Sequence, residues 1–161
     1  MRRVHGTCVA LRGGAVLLRG RPAAGKSDLA LRLIDAGGRL VADDQVDLRR
    51  TARGILASAP KAIARLLEVR GVGILNVPSV ARARVVLAVD LLARGRIARL
   101  PAPRHLRLLG VSLPRLALSP FESSAAAKVR LATRAALRGH LWPPVAKAGR
   151  PWPPARKAGR A

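Results

Sequence analysis

The spacing of apolar residues changes character twice within the first forty-odd positions, and each change marks an element. Val4 to Leu11 (VHGTCVAL) and Ala15 to Arg19 (AVLLR) are short β-prone runs divided by Gly13-Gly14, which predicts a hairpin-like pair of strands. From Lys26 the period becomes helical. KSDLALRLIDAGG places Leu29, Ala30, Leu33 and Ile34 at helical spacing, with Asp28 in the first turn and Gly37-Gly38 past the end, so a helix of about three turns is predicted. RLVA (Arg39 to Ala42) returns to a strand and closes on Asp43-Asp44. Strand, loop, helix and strand fill a βαβ-sized unit, in which the last strand is expected beside the first. Alternation along an extended strand then predicts that only one of Asp43 and Asp44 faces the loop.

Further along, RLLEVRG, VGILNV and VVLAVDLL read as buried or half-buried strands with turns at Gly71, Pro78 and Gly95. Leu113 to Ser119 is another strand, and Ser123 to Arg138 a second long helix that runs out at Gly139 and His140. Beyond it, WPPVAKAGR and WPPARKAGR are near copies ten residues apart, too rich in Pro and cations to bury a core. The division expected is a domain over 1–140 and a disordered or polyproline-like tail over 141–161. With 161 residues, half of them apolar, the chain has room for one sizeable core. Aromatics are nearly absent (Phe121, Trp142, Trp152), so that core is built of Leu, Val, Ile and Ala, which favours α/β layers over a β-sandwich.

A net charge of +23 raises the question of a nucleic-acid partner. Against it, 26 of the 31 cationic residues are Arg scattered among Ala, Gly and Pro, as a coding bias would leave them, and stacking platforms are missing. Cys8 stands alone, which excludes a disulfide or a multi-cysteine zinc site within the chain. The amino-terminal apolar run is too short for a secretory signal, and no run reaches the roughly 18 residues of a membrane span. The expectation is a cytoplasmic protein with no membrane partner.

The chemistry is concentrated at GRPAAGKSD, Gly20 to Asp28, where Gly20, Gly25, Lys26 and Ser27 satisfy G-x-x-x-x-G-K-[ST]. In a phosphate-binding loop of this kind, backbone N–H groups at a helix N-terminus point at phosphate oxygens. The lysine reaches the β and γ phosphates, and the hydroxyl holds Mg²⁺. Five of the eight acidic residues (Asp28, Asp35, Asp43, Asp44, Asp47) follow within twenty positions, and Asp43-Asp44 ends a strand where a metal-binding or base carboxylate belongs. Glu68 sits among apolar residues that would tend to bury it. It is free to pair with Arg70 or to bind Mg²⁺, and spacing alone leaves both open.

HGTCVAL, GKSDLALRLID, RLVADDQVDL and LLEVRGVGILNV, in that order, resemble the catalytic domain of the HPr kinase/phosphorylase family. The similarity covers about Arg3 to Leu137, and LEVRGVGILN is its most specific part. It is to the short form that lacks the family's N-terminal domain. The resemblance implies a P-loop-containing mixed β-sheet with flanking helices, of the HPr kinase / PEP carboxykinase kind. It implies an ATP-dependent serine kinase, with a reverse phosphorylase activity in the family, acting on an HPr-like phosphocarrier of a phosphotransferase system. The nucleotide would bind at Gly20, Arg21, Pro22, Ala23, Ala24, Gly25, Lys26 and Ser27, with Mg²⁺ on Ser27 and Glu68. Asp44 would be the general base, His5 an active-site histidine near it, and Arg99 a later catalytic arginine. Lys128 and Arg130 fall in the region the family uses for dephosphorylation, and the family assembles as hexamers, which implies a homo-oligomer. One departure stands out: Pro22-Ala23 replaces the family's usual Ser-Gly, removing one N–H donor and one residue suited to positive φ, so weaker or altered nucleotide binding is expected. Two other readings of the same loop are a small-metabolite kinase and a nucleotide-binding regulatory protein with weak catalysis.

Overall fold

Gly6 divides the first predicted strand in two. In the computed structural model, which describes residues 1–141, β1 (Arg2–His5) and β2 (Thr7–Leu11) diverge at this residue. β2 pairs antiparallel with β3 (Gly14–Arg19), whereas β1 pairs with β5 (Gln45–Thr51). A Cβ at Gly6 would stand 2.8 Å from the Leu18 carbonyl oxygen, so only glycine lets the chain turn this closely over β3.

The helix predicted from Lys26 is α1 (Lys26–Asp35), with Leu29, Ala30 and Leu33 buried. The strand after it, β4 (Arg39–Ala42), corrects one expectation. It does not lie beside β3: β2 is between them, antiparallel to both. The parallel partner of β3 is β9 (Arg82–Leu91), which brings Arg19 level with Asp90. The other edge of β9 is shared, its first half pairing antiparallel with β6 (Gly54–Ser58) and its second half parallel with β11 (Val111–Leu118). β10 (His105–Leu108) pairs with β11, which completes a nine-stranded mixed sheet with the main order β1-β5-β6-β9-β3-β2-β4. A small antiparallel pair, β7 (Leu66–Val69) and β8 (Gly73–Asn76), is separate from it. The second helix, α2 (Ala125–Leu137), begins two residues inside the predicted span.

Both faces of β3 are covered, as its unbroken apolar run requires. Val16 and Leu18 pack with Leu29, Leu33, Val129 and Ala132 under the two helices. Ala15 and Leu17 face a second core made with Val46, Leu48, Ile55 and Ala57, where the sheet curls back on itself. Cys8 lies in that second core, fully buried, and burial pushes its thiol up to about 12. Native protein at neutral pH is therefore expected to resist iodoacetamide, with one equivalent reacting only after denaturation. Mass spectrometry before and after denaturant checks this.

β8 is the clearest departure from the predicted burial: all four of its residues are exposed, Ile74 at 67%. Its apolar sequence does not insert into the core. β5, β6 and β10 are not predicted from the sequence: arginines interrupt the apolar pattern of β5 and β10, and β6 is only five residues long, yet Val46, Leu48, Ile55, Ala57 and Leu108 are buried. Among the described residues no helix is long and apolar enough to cross a membrane. The proline-rich repeats from Trp142 onward lie outside the described residues.

Candidate functional site

The loop between β3 and α1 is held in shape from inside. Ala24 N–H donates to the Arg21 carbonyl at 3.1 Å, and Lys26 Nζ donates to the carbonyls of Gly20 and Arg21 at 3.0 and 2.9 Å. Gly25 takes φ 89° at the N-cap of α1, where a Cβ would collide with Pro120 and Phe121 at 2.9 and 3.0 Å. Ala23 takes φ 60°, a left-handed conformation that costs a non-glycine residue roughly 1–2 kcal/mol. The Lys26 ammonium is largely buried, and desolvation lowers its pKa, opposed by the nearby charges of Asp43 and Asp44. An anion bound beside it would relieve that penalty.

Asp43 ties the loop to the sheet. Its carboxylate accepts from Thr7 Oγ1 at 2.7 Å and from Ser27 Oγ, which is 3.1 Å from each of its oxygens. The strand ends at Ala42, and Asp44 turns to φ 66° while its carbonyl accepts from Gly6 N–H at 3.0 Å. The alternation expected of an extended strand therefore stops one residue too early to separate the two acids, and both face the same cavity. His5 Nδ1 lies 3.2 Å from Asp44 Oδ1. The short Gly6 link between β1 and β2 brings the imidazole there.

This cavity, of about 470 Å³, is lined by His5, Lys26, Ser27, Asp43, Asp44 and Glu68, with Pro22, Ala23 and Gly25 from the loop and Arg70 and Phe121 also on its walls. Glu68 is not buried as its sequence neighbours suggest, and no ion pair joins it to Arg70 among the described residues. Glu68 is exposed on β7 next to Leu67, the residue of that strand that enters the core, and Arg70 lies in the turn just after it. Among the described residues no cluster of three His, Cys, Asp or Glu stands ready to hold a metal unaided. Ser27, Asp43 and Glu68 nevertheless offer hard oxygen donors around one space. That suits Mg²⁺, which is commonly held by one or two carboxylates together with phosphate oxygens and water.

Arg99 is not brought to this cavity: it lies exposed in the bend after β9, and is absent from the lining. Lys128 sits in a neighbouring cavity and pairs with Glu122 at 2.6 Å, which holds the Glu122 carboxyl below its ordinary range.

The first 93 residues match the family described as HPr Serine kinase C-terminal domain. The chain belongs to this family. Curated relatives named HPr kinase/phosphorylase include one from Exiguobacterium sp. (strain ATCC BAA-1283 / AT1b), 49% identical over 78 residues, or 48% of this chain and 25% of the relative. Another, from Geobacillus sp. (strain WCH70), is 44% identical over 96 residues, or 55% of this chain and 31% of the relative. The matched segments thus span only about a quarter to a third of those relatives' lengths. A solved structure described as the Hpr(Ser) kinase/phosphatase from Coxiella burnetii superposes with a TM-score of 0.74 at 25% identity, covering 83% of this chain and 95% of that one. The mixed sheet with flanking helices expected from the resemblance is the fold observed.

Several residues of the HPr kinase-like site are not visible to sequence reasoning. Thr7 is one, since its grip on Asp43 depends on β2 and β4 being neighbours. Asp90 is another: it pairs with Arg19 at 3.3 Å and also accepts from Arg115 Nε, steadying the residue that leads into Gly20. Phe121 reaches the loop only because Arg32 of α1 donates to the carbonyls of Pro120 and Glu122.

Proposed function

We propose that this protein is an ATP-dependent serine kinase acting on an HPr-like phosphocarrier, in the manner its curated relatives' names describe. The observation that carries the reading is a single cavity in which the Lys26-Ser27 corner of the loop meets Asp43, Asp44, His5 and Glu68. Phosphoryl transfer asks little of a protein beyond positioning an in-line nucleophile and neutralising charge that spreads over the moving phosphoryl group. Here the N–H groups of the loop and Lys26 receive the phosphates, Lys26 exchanging its Gly20 and Arg21 carbonyls for phosphate oxygens.

Asp44 takes the proton of the substrate serine. Its side chain is 66% exposed, so an incoming hydroxyl can reach it, and His5 stands at the one oxygen that would otherwise be free to rotate away. Asp43 has the opposite setting, buried and already accepting from two hydroxyls, which suits it to hold Ser27 in place. Ser27 and Glu68 would hold Mg²⁺, which when bound supplies charge neutralisation at the phosphates. A carboxylate that accepts a proton in one direction can return it in the other, so the same geometry serves attack of inorganic phosphate on phosphoserine. A homo-oligomer and a cytoplasmic setting go with this reading.

The test is incubation of the purified protein with Mg-ATP and the HPr-like proteins of its host, with the phosphate located by mass spectrometry. Phosphoserine on one of them is expected; none on any would overturn the proposal. The loop departure adds a second expectation. Replacing Pro22 by Ser and Ala23 by Gly together restores one N–H donor and removes the strained φ, and should tighten ATP binding about threefold to tenfold. Titration calorimetry showing no gain would mean that Pro22 does not face the phosphates.

A further inference from the structure

We propose that Phe121 is the platform on which the nucleobase of the bound nucleotide stacks, with the nucleoside lodged in the cavity beyond it. This rests on the nucleotide-binding reading of the loop and adds the end of the ligand that the loop itself does not address. Phe121 is 71% exposed and is one of only three aromatic residues in the chain, the others being Trp142 and Trp152. A large apolar ring left in solvent is usually unremarkable, but this one is fixed in place. Pro120 before it is buried, and Arg32 clamps the carbonyls on either side, donating to Glu122 at 3.3 Å and also to Pro120. Arg32 is itself braced by Asp28 at 2.7 Å. The clamp sets the ring against Gly25, so close that a Cβ there would meet Phe121 Cζ at 3.0 Å.

Direction follows from the charges. His5, Asp43, Asp44 and Glu68 come from the segments at β1, β4 and β7, and the terminal phosphate must face them for transfer to occur. Phe121 comes from a different segment, between β11 and α2, which leaves its ring for the rest of the nucleotide. The same ring also borders a second cavity of about 590 Å³, with Arg94, Ser119, Glu122, Ser123, Ser124 and Lys128 on its walls, Arg94 and Lys128 both paired with Glu122. That volume suits a nucleoside, and the serine hydroxyls and the Glu122 carboxylate are fitting partners for the hydroxyls of a ribose. Stacking on one aromatic face tolerates any base, so the site is expected to accept ATP and GTP alike.

Binding of Mg-ATP and of inorganic tripolyphosphate, measured by calorimetry on wild type, Phe121→Ala, Phe121→Leu and Phe121→Trp, separates the possibilities. Phe121→Ala and Phe121→Leu should each weaken ATP about 10- to 100-fold while leaving tripolyphosphate unchanged, and Phe121→Trp should retain ATP. Equal loss of both ligands would overturn the inference, because the ring would then act by supporting Gly25. Unchanged ATP affinity in Phe121→Leu would overturn it also, while leaving the loop reading intact. If wild type bound neither ligand, the nucleotide-binding reading itself would fall, and this one with it.

Discussion

Lys26→Ala is expected to lower ATP-dependent phosphoryl transfer by about 10²- to 10³-fold or more, the scale on which removing one preorganised group from a developing charge acts. Two losses combine. The positive charge that meets the phosphates disappears, and so do the hydrogen bonds that tie the loop to itself at Gly20 and Arg21. ATP affinity should therefore fall along with the rate. Lys26→Arg should not rescue, since a forked guanidinium does not fit the space that one ammonium fills between two carbonyls. Steady-state kinetics with an ATP titration checks both. Transfer at the wild-type rate in Lys26→Ala would remove the loop from the mechanism.

Asp44→Asn should divide rate from binding. Loss of a general base costs about 10²- to 10⁴-fold in rate, whereas ATP affinity should stay near that of wild type because Asp44 makes no hydrogen bond to the loop. Asparagine is the right replacement here, as it tolerates the positive φ of this position far better than alanine and keeps the Gly6 backbone contact. Asp43→Asn makes the contrast. It disturbs the carboxylate that Ser27 and Thr7 share, so weaker Mg-ATP binding should accompany any loss of rate. Should Asp44→Asn abolish ATP binding as well, the carboxylate would be a metal or structural group and another base would be required.

Where the chain's own pattern is regular, its structure was legible. α1 follows from the spacing of Leu29, Ala30 and Leu33 and from its glycine stop, and β3, β4, β9 and β11 follow from dense β-branched and leucine runs. The loop follows from Gly25-Lys26-Ser27. β5 is hidden because Arg49 and Arg50 interrupt a strand of which one face alone is buried, and β6 because only Ile55 and Ala57 of its five residues are buried. β8 reads as buried or half-buried because apolar character does not report whether a partner layer is available, and none covers Ile74.

The candidate site shows the same division. Lys26, Ser27, Asp43, Asp44 and Glu68 are recognisable by type and spacing, because a phosphate loop and its carboxylates are local features of a strand, a turn and a helix start. How they meet is not local. That β2 separates β3 from β4, that Asp43 is tied to Thr7 while Asp44 turns toward His5, and that Arg99 stays outside the cavity all depend on pairings between distant segments. Phe121 is the furthest case, standing some ninety positions from the loop it touches and held there by Arg32. By itself the sequence determined which chemical groups are present and that a phosphate loop caps a helix, since these rest on residue type and short-range geometry. Tertiary structure alone decided which carboxylate is buried, which is exposed, and which ring lies against the loop, since burial and contact are properties of packed neighbours.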